Sequence, residues 1–309
     1  MPPTDSSKRW TRRQLLGAGL VGITALTGTG IALDELVSHG VLPGKQTLEQ
    51  IEGDCSVSGP SVRFGQLGPT RSGTFHSTAR RREVGYTIAW PPGHVPGASL
   101  PLIVMLHGFG ANHTDALAAM TPAQAVALEV DGRPLPSMAM VTVDGGGGYW
   151  NPHPGDDPLA MVVSELIPMC RQLNLGHAPS QIGTMGISMG GYGALLLAEK
   201  YPDLIRASAA ISPAIWTTYD QARSANSGAF ASASDFEWAD VVTHARQLSG
   251  TAVRVASGVD DPFHPGVVAL VNELPKNAVV DISKGCHTGP YFSSQEPASL
   301  MFLGQHLQS

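Results

Sequence analysis

Short runs dominated by apolar residues recur along this chain and limit the folds open to it more than any other feature. They lack the strict polar-apolar alternation of a half-exposed strand. Runs of this kind fit strands that are covered on both faces, as in a parallel sheet. The runs span residues 102–106, 138–143, 182–186, 207–211, 253–257 and 279–282.

Segments with helical periodicity separate many of these runs. The pattern predicts helices over 159–173, 191–201, 240–248 and 265–274. An alternating segment over 73–90 predicts a further, half-buried strand that ends at Pro91. Strands that alternate with helices indicate an α/β fold with a mostly parallel central sheet and helices on both faces. We interpret residues 213–238 as a small inserted segment.

Composition excludes several classes of protein. The chain has 309 residues, of which 42% are hydrophobic and only 14% are charged, and its net charge is −6. So low a charge content argues against a disordered chain and against binding to nucleic acid. The longest basic run outside the N-terminus is Arg80–Arg82, which we interpret as the solvated edge of a strand. The length fits one α/β domain, which we expect over residues 73–309.

The first 33 residues differ from the rest. Arg12 and Arg13 precede a weakly apolar run rich in Gly, Ala and Thr, a pattern that resembles a bacterial twin-arginine export signal. We therefore expect export through that machinery to the periplasm, cell envelope or medium. A membrane anchor is the alternative, and signal cleavage stays open. We expect a weakly ordered connector over residues 34–72.

Three cysteines are present, at positions 55, 170 and 286. They cannot all pair within one chain, and none lies in a C-x-x-C arrangement. One disulfide is compatible with an oxidising compartment, but the pattern does not select the pair. It predicts no metal site.

The segment Gly186–Gly190 matches G-x-S-x-G around Ser188, between a predicted strand and a predicted helix. In that context the motif indicates a nucleophile on a sharp turn, where only small neighbours fit. A glycine-rich turn with a capping serine is the alternative. We predict that Ser188 is a catalytic nucleophile.

A serine nucleophile needs a base, and the base needs an acid that orients it. His287 follows the last apolar run in a glycine-containing loop, and we predict that it is the base. Asp260 and Asp261 follow the preceding run. The spacing from Gly258 favours Asp261 as the acid.

An oxyanion intermediate needs two backbone N–H donors. We predict that these are Met189, directly after the nucleophile, and Phe109, in the loop after the run 102–106. His107 is expected to brace that loop through its ring nitrogens.

The segments 107–110, 186–194, 258–263 and 285–292 together resemble the α/β-hydrolase superfamily. Within it, the chain is most similar to the esterase D-like branch, which includes S-formylglutathione hydrolases and secreted mycolyltransferases. The resemblance covers about residues 73–305. It implies a serine acyl hydrolase or acyltransferase that acts on a small-molecule or lipid ester without a metal or organic cofactor.

Aromatic residues outside these motifs allow two interpretations. Tyr149 and Trp150 follow a glycine run after the strand 138–143, where they could line a substrate pocket or pack against their neighbours. The aromatic residues of the inserted segment could form a partial lid or pack it down; they are Trp216, Tyr219, Phe230, Phe236 and Trp238.

These patterns favour an exported serine esterase. An acyltransferase that passes the acyl group to an envelope sugar or lipid alcohol is one alternative. A non-catalytic envelope or ligand-binding protein on the same fold is another.

Overall fold

In a computed structural model of the chain, the described residues are 55, 57, 59, 62–64, 68–116, 127–177 and 182–308. The strands in chain order are β1 (Val62–Phe64), β2 (Thr70–Ser77), β3 (Arg82–Ala89), β4 (Leu102–Leu106), β5 (Ala127–Val130), β6 (Arg133–Pro134), β7 (Ala139–Val143), β8 (Ile182–Ile187), β9 (Ala207–Ile211), β10 (Ala252–Gly258) and β11 (Val279–Ser283).

Eight of these strands form one sheet in the order β11-β10-β9-β8-β4-β7-β3-β2. From β11 to β7 in this order, each pair of adjacent strands is parallel. Strands β3 and β2 are antiparallel additions at one edge. The prediction of a mostly parallel central sheet is therefore confirmed. A small separate sheet pairs β1 with β5 and β5 with β6.

Side chains from both faces of the main sheet are buried. Along β4, Leu102, Val104 and Leu106 belong to one hydrophobic layer, whereas Ile103 and Met105 belong to the other. Because neighbouring side chains in a strand point to opposite faces, this division shows that both faces are covered. The lack of alternation in the sequence has this cause.

Helices occupy many of the connections. They are α1 (Pro158–Met161), α2 (Ile167–Arg171), α3 (Met189–Lys200), α4 (Tyr219–Ala225), α5 (Ala233–Trp238), α6 (His264–Glu273) and α7 (Gly289–Leu307). Helix α3 packs in the first layer, and the apolar residues of α7 pack in the second. Within the described residues, no helix combines the length and apolar character needed to cross a membrane.

The predicted helix over 159–173 contains a wider turn. Residues Val162–Leu166 form a π-helical turn between α1 and α2, in which the N–H of Ile167 donates to the carbonyl of Val162. Pro168 follows directly and has no N–H to donate, so a regular α-helical bond is missing there. The turn is consistent with this local break.

Three local predictions were wrong. The segment predicted as one strand over 73–90 falls in two antiparallel strands, β2 and β3, which a turn over 78–81 connects. The segment predicted as a helix over 240–248 consists of turns followed by a 3₁₀-helix over Ala245–Gly250. The run 279–282 does form a strand, but β11 is an edge strand, and Val279, Val280 and Ile282 are exposed. An apolar run at the edge of a sheet therefore looks like a central strand in the sequence.

The structure selects a cysteine pair. Cys55 and Cys286 form a disulfide across a sequence separation of 231 residues, whereas Cys170 is free and buried.

The main sheet begins at Thr70, and β1 lies within the segment expected to be a connector. The predicted export signal over residues 1–33 lies outside the described residues.

Candidate active site

Ser188 lies on the turn between β8 and α3. Its backbone has φ 57° and ψ −122°, a conformation that a residue with a side chain rarely adopts. Hydrogen bonds hold the turn on both sides. The N–H of Ser188 donates to Ile211, and its carbonyl accepts from Tyr192 and Ala214.

The glycines of the motif are required by close backbone contacts. A Cβ atom at Gly186 would lie 2.1 Å from the carbonyl oxygen of Gly190, and one at Gly190 would lie 1.9 Å from that of Leu106. Both distances are far below van der Waals contact. This turn therefore excludes any larger residue at either position, as the sequence pattern predicted.

His287 and Asp261 complete a hydrogen-bonded series with Ser188. His287 Nε2 is 2.9 Å from Ser188 Oγ, and His287 Nδ1 is 2.8 Å from Asp261 Oδ2. An ionised carboxylate can only accept, so Nδ1 carries the proton and Nε2 is left to accept from the serine hydroxyl. The other carboxylate oxygen, Oδ1, accepts from the N–H of Phe263. Asp261 is 3% exposed.

Of the two candidate acids, the structure brings Asp261 to the histidine. The backbone N–H of Asp260 instead donates to the carbonyl of Gly285, in the loop that carries His287.

Two phenylalanine rings border the imidazole of His287. The ring centroids of Phe263 and Phe292 lie 5.1 Å and 4.9 Å from that of His287.

A close backbone contact and a disulfide hold the loop of His287 in place. Gly285 has φ 152° and its carbonyl approaches Gly258 closely, so that a Cβ at Gly258 would lie 2.1 Å from it. Cys286, the residue before His287, is buried and carries the disulfide to Cys55. The position of the imidazole therefore depends on residues that are far apart in sequence.

The two predicted oxyanion donors belong to segments that adjoin Ser188. Met189 is the first residue of α3, where an N–H has no acceptor within the helix. Gly108, which precedes Phe109, lies beside Ser188, since a Cβ at Gly108 would be 3.8 Å from Ser188 Cβ. The Phe109 side chain is 62% exposed.

His107 lies beneath this loop and is 1% exposed. Its Nε2 accepts from the N–H of Gly145 at 2.8 Å, and its Nδ1 lies 2.8 Å from the carbonyl oxygen of Gly108. Because Nε2 accepts a hydrogen bond and Nδ1 faces a carbonyl oxygen, which can only accept, the ring is the neutral tautomer with its proton on Nδ1. Burial, the largest effect, lowers the pKa of His107 and favours this neutral form. The predicted bracing contacts of His107 are present.

The aromatic residues near the glycine run are largely packed away. Trp150 is completely buried, and its ring lies 5.0 Å from that of His107. Tyr149 is 4% exposed and accepts a hydrogen bond from Trp216 Nε1 at 2.9 Å. Phe230 packs against Tyr149. These contacts favour the packing interpretation for Tyr149, Trp150 and Phe230.

Sequence reasoning missed the role of Arg80. The interpretation of Arg80–Arg82 as a solvated edge was wrong for Arg80, which is 4% exposed. Its guanidinium forms a bidentate ion pair with the carboxylate of Asp156 and donates a hydrogen bond to the backbone carbonyl of Asp144. A lone pattern of three arginines carries no signal for this burial, because the partners lie 64 and 76 residues away.

The parallel sheet, the strained serine turn after β8 and the ordered partners after β10 and β11 define the chain as an α/β-hydrolase. Residues 77–269 match the family model described as "Putative esterase". The match spans more than half of the chain, and the protein belongs to this family, for which ester hydrolysis is the indicated activity. The resemblance to the esterase branch is confirmed.

Solved structures share the fold at low sequence identity. A ferulic acid esterase is 18% identical with a TM-score of 0.61, over 79% of this chain and 100% of that chain. An S-formylglutathione hydrolase from Agrobacterium tumefaciens is 16% identical with a TM-score of 0.60, over 81% and 100%. The fluorophosphonate-binding serine hydrolase FphF of Staphylococcus aureus is 14% identical with a TM-score of 0.59, over 78% and 99%. No curated protein sequence matches the chain.

Proposed function

We propose that this protein is a serine carboxylic-ester hydrolase with Ser188 as nucleophile, His287 as general base and Asp261 as the acid that orients it. The observation that carries the proposal is the continuous series Ser188–His287–Asp261, with contacts of 2.9 Å and 2.8 Å. A base within hydrogen-bonding reach of a hydroxyl, itself oriented by a carboxylate, is the arrangement that activates serine.

Acylation follows from this geometry. His287 Nε2 takes the proton of Ser188 Oγ as the oxygen attacks the ester carbonyl carbon. The carbonyl electron pair moves to oxygen, and the tetrahedral intermediate carries the negative charge there. When the carbonyl re-forms, the bond to the alcohol oxygen breaks, and the protonated imidazole gives its proton to the departing alcohol. Asp261 stabilises the imidazolium while remaining ionised.

Deacylation reverses the roles with water. His287 takes a proton from water as the water oxygen attacks the acyl-enzyme carbonyl. As the second tetrahedral intermediate collapses, the bond between the acyl carbon and Ser188 Oγ breaks, the carboxylic acid is released, and the protonated His287 returns its proton to Oγ. The N–H groups of Met189 and Phe109 are assigned as donors to the oxyanion in both halves, where each donor contributes about 3 kcal/mol to the stability of the transition state.

Substitution of the nucleophile tests the proposal. We expect Ser188→Ala to lower kcat for short p-nitrophenyl esters by about 10⁴-fold or more, because no other group supplies the attacking oxygen. A fluorophosphonate probe should label the unmodified protein and fail to label this variant. Ser224→Ala, at an exposed position of α4, is the matched control and should behave as the unmodified protein.

The same assay separates the alternatives. A protein that hydrolyses no ester and takes up no fluorophosphonate would contradict the proposal and favour the non-catalytic function. Products formed with added sugar or lipid alcohols, in excess over the free acid, would identify an acyltransferase instead of a hydrolase.

We further propose that the protein is exported through the twin-arginine route. The Arg12-Arg13 pattern carries the proposed route. The disulfide between Cys55 and Cys286 supports export as such, because disulfides persist mainly in oxidising compartments. Replacement of both arginines by lysine should keep the protein in the cytoplasmic fraction. Unchanged export of that variant would overturn the proposed route.

A further inference from the structure

Hydrogen bonds link buried Arg80 to the loop of the proposed oxyanion site. Arg80 Nη1 donates to the carbonyl oxygen of Asp144, and the N–H of Gly145 donates to His107 Nε2 at 2.8 Å. His107 Nδ1 then lies 2.8 Å from the carbonyl oxygen of Gly108.

Two peptide groups are the linking units in this series. The carbonyl of Asp144 and the N–H of Gly145 belong to one peptide group, and the carbonyl of Gly108 and the N–H of Phe109 belong to another. A trans peptide is planar, so its carbonyl and its N–H point in opposite directions. A donor that fixes the Gly108 carbonyl therefore also fixes the direction of the Phe109 N–H.

We propose that His107 is a positioning residue for catalysis: by donating from Nδ1 to the Gly108 carbonyl, it aims the Phe109 N–H at the oxyanion. This inference rests on the proposed function, since it assumes that Phe109 is an oxyanion donor. It goes beyond bracing, because it assigns separate tasks to the two ring nitrogens. Nε2 accepts from Gly145 and holds the ring, and Nδ1 orients the reactive peptide.

The environment of His107 allows one orientation and one tautomer. The ring is buried, and Trp150 lies 5.0 Å away between centroids. Trp150 Nε1 also donates to the backbone carbonyl of His107 at 3.2 Å. A ring turned by 180° would lose both hydrogen bonds, since carbon atoms would replace the nitrogens. The Gly145 N–H accordingly sets which nitrogen is protonated.

The Asp144–Gly145 peptide is held firmly enough to serve as the reference point. Both side-chain oxygens of Asp144 accept from backbone N–H groups, those of His113 and Gly85, each at 2.9 Å. Arg80 is itself fixed by its two bonds to Asp156. Donation from a cationic guanidinium also polarises the peptide, which strengthens its N–H as a donor to His107.

A second donor shares the Gly108 carbonyl. The N–H of Ala111 lies 3.2 Å from it and closes the turn that contains Phe109. The turn should therefore persist when His107 is replaced, while the exact direction of the Phe109 N–H should change. Activity is expected to respond more strongly than folding.

A pair of variants separates the tasks of the two nitrogens. The amide nitrogen of asparagine occupies the place of Nδ1, so His107→Asn keeps a donor to Gly108 and loses the acceptor for Gly145. The amide of glutamine reaches the place of Nε2, so His107→Gln keeps that acceptor and loses the donor. We expect H107Q to lower kcat by about 10- to 100-fold with little change in KM, because loss of one oxyanion donor costs about 10²- to 10³-fold. The kcat of H107N should stay within about 5-fold of that of the unmodified protein, which is a small change compared with the loss of an oxyanion donor.

Inhibitor binding supplies a readout that a purely structural role would not move. The Ser188 hydroxyl adds to the carbonyl carbon of a trifluoromethyl ketone, and the former carbonyl oxygen of the resulting hemiketal occupies the oxyanion site. The inhibition constant of the ketone should rise in H107Q by the same factor by which kcat falls, and remain nearly unchanged in H107N. Equal losses in both variants, in step with their melting temperatures, would overturn the inference. Unmodified protein that fails to react with fluorophosphonate would instead contradict the proposed function.

Discussion

Glu296 is an ionisable residue inside the protein that the proposed chemistry does not use. It lies in α7, is 1% exposed, and its Oε1 has no hydrogen-bond partner in the described part of the chain. Burial raises the pKa of its carboxyl to about 8. The folded protein therefore holds a proton there at neutral pH that the unfolded chain releases.

Glu296 should make the free energy of unfolding fall as pH rises, and a neutral substitution should remove this dependence. Folding raises the pKa of the Glu296 carboxyl from 4.5 to about 8. The contribution of the protonated carboxyl to the free energy of unfolding is therefore complete below pH 4.5 and is lost as pH rises through 8. Glu296→Gln stays neutral throughout. Relative to this variant, we expect the unmodified protein to lose up to about 1.4 kcal/mol of unfolding free energy per pH unit across that window.

Urea unfolding of both proteins from pH 5 to pH 9 measures this difference. Glu237→Gln, at an exposed position of α5, is the control and should leave the pH dependence unchanged. A difference between the unmodified protein and E296Q that stays constant over the range would contradict the assignment of a neutral buried carboxyl.

At the scale of secondary-structure elements, the side chain of Arg254 connects strand β10 to helix α7 and to strand β11. From β10 it donates to Ser299 and Gln295 of α7, at 3.0 Å and 2.8 Å, and it pairs with Asp281 of β11 at 3.3 Å. Arg254 is 4% exposed. Among the described strands, β11 pairs with β10 alone, so this contact adds to the attachment of the edge strand.

Arg254→Met should cost about 2–4 kcal/mol of unfolding free energy. The variant keeps most of the buried volume but leaves the polar groups of Ser299 and Gln295 without their donor, at about 1–3 kcal/mol each. Asp281 is partly exposed and can regain water. Arg246→Met is the matched control, because Arg246 is 88% exposed and lies 3.7 Å from Glu273. It should cost less than about 0.5 kcal/mol, and equal costs for the two variants would refute the argument.

Across the whole molecule, the disulfide connects the N-terminal side of the described chain to the loop of His287. It closes a loop of 231 residues, and in the chain-entropy description long loops give the largest stabilisation. The third cysteine does not compete for this pairing. Cys170 is buried, and burial raises the pKa of its thiol to about 12, which suppresses the thiolate that exchange requires.

Cys55→Ser should lower the free energy of unfolding by about 3–5 kcal/mol, since the cross-link no longer restricts the unfolded chain. A reductant should lower the melting temperature of the unmodified protein toward that of the variant and leave the variant itself unchanged. A melting temperature that is the same for both proteins without reductant would contradict a stabilising disulfide.

Much of this architecture follows from local patterns. The apolar runs predicted the central strands, because burial on both faces removes alternation wherever a strand lies. The chemistry of the serine turn was equally local: Gly186 and Gly190 are required by contacts within the turn and with the adjacent strand. The order Ser188, Asp261, His287 follows from where the strands end.

Other features depend on contacts that no local pattern contains. The position of β11 at the sheet edge, the pairing of Cys55 with Cys286 and the burial of Arg80 each depend on residues distant in sequence. The choice of Asp261 over Asp260 was favoured by spacing, but the 2.8 Å contact with His287 arises from the packing of two loops. The sequence by itself thus determined the strands and the chemical groups at their ends. The tertiary structure alone decided which of those groups meet, because hydrogen bonds and a disulfide require distances that only the packed chain provides.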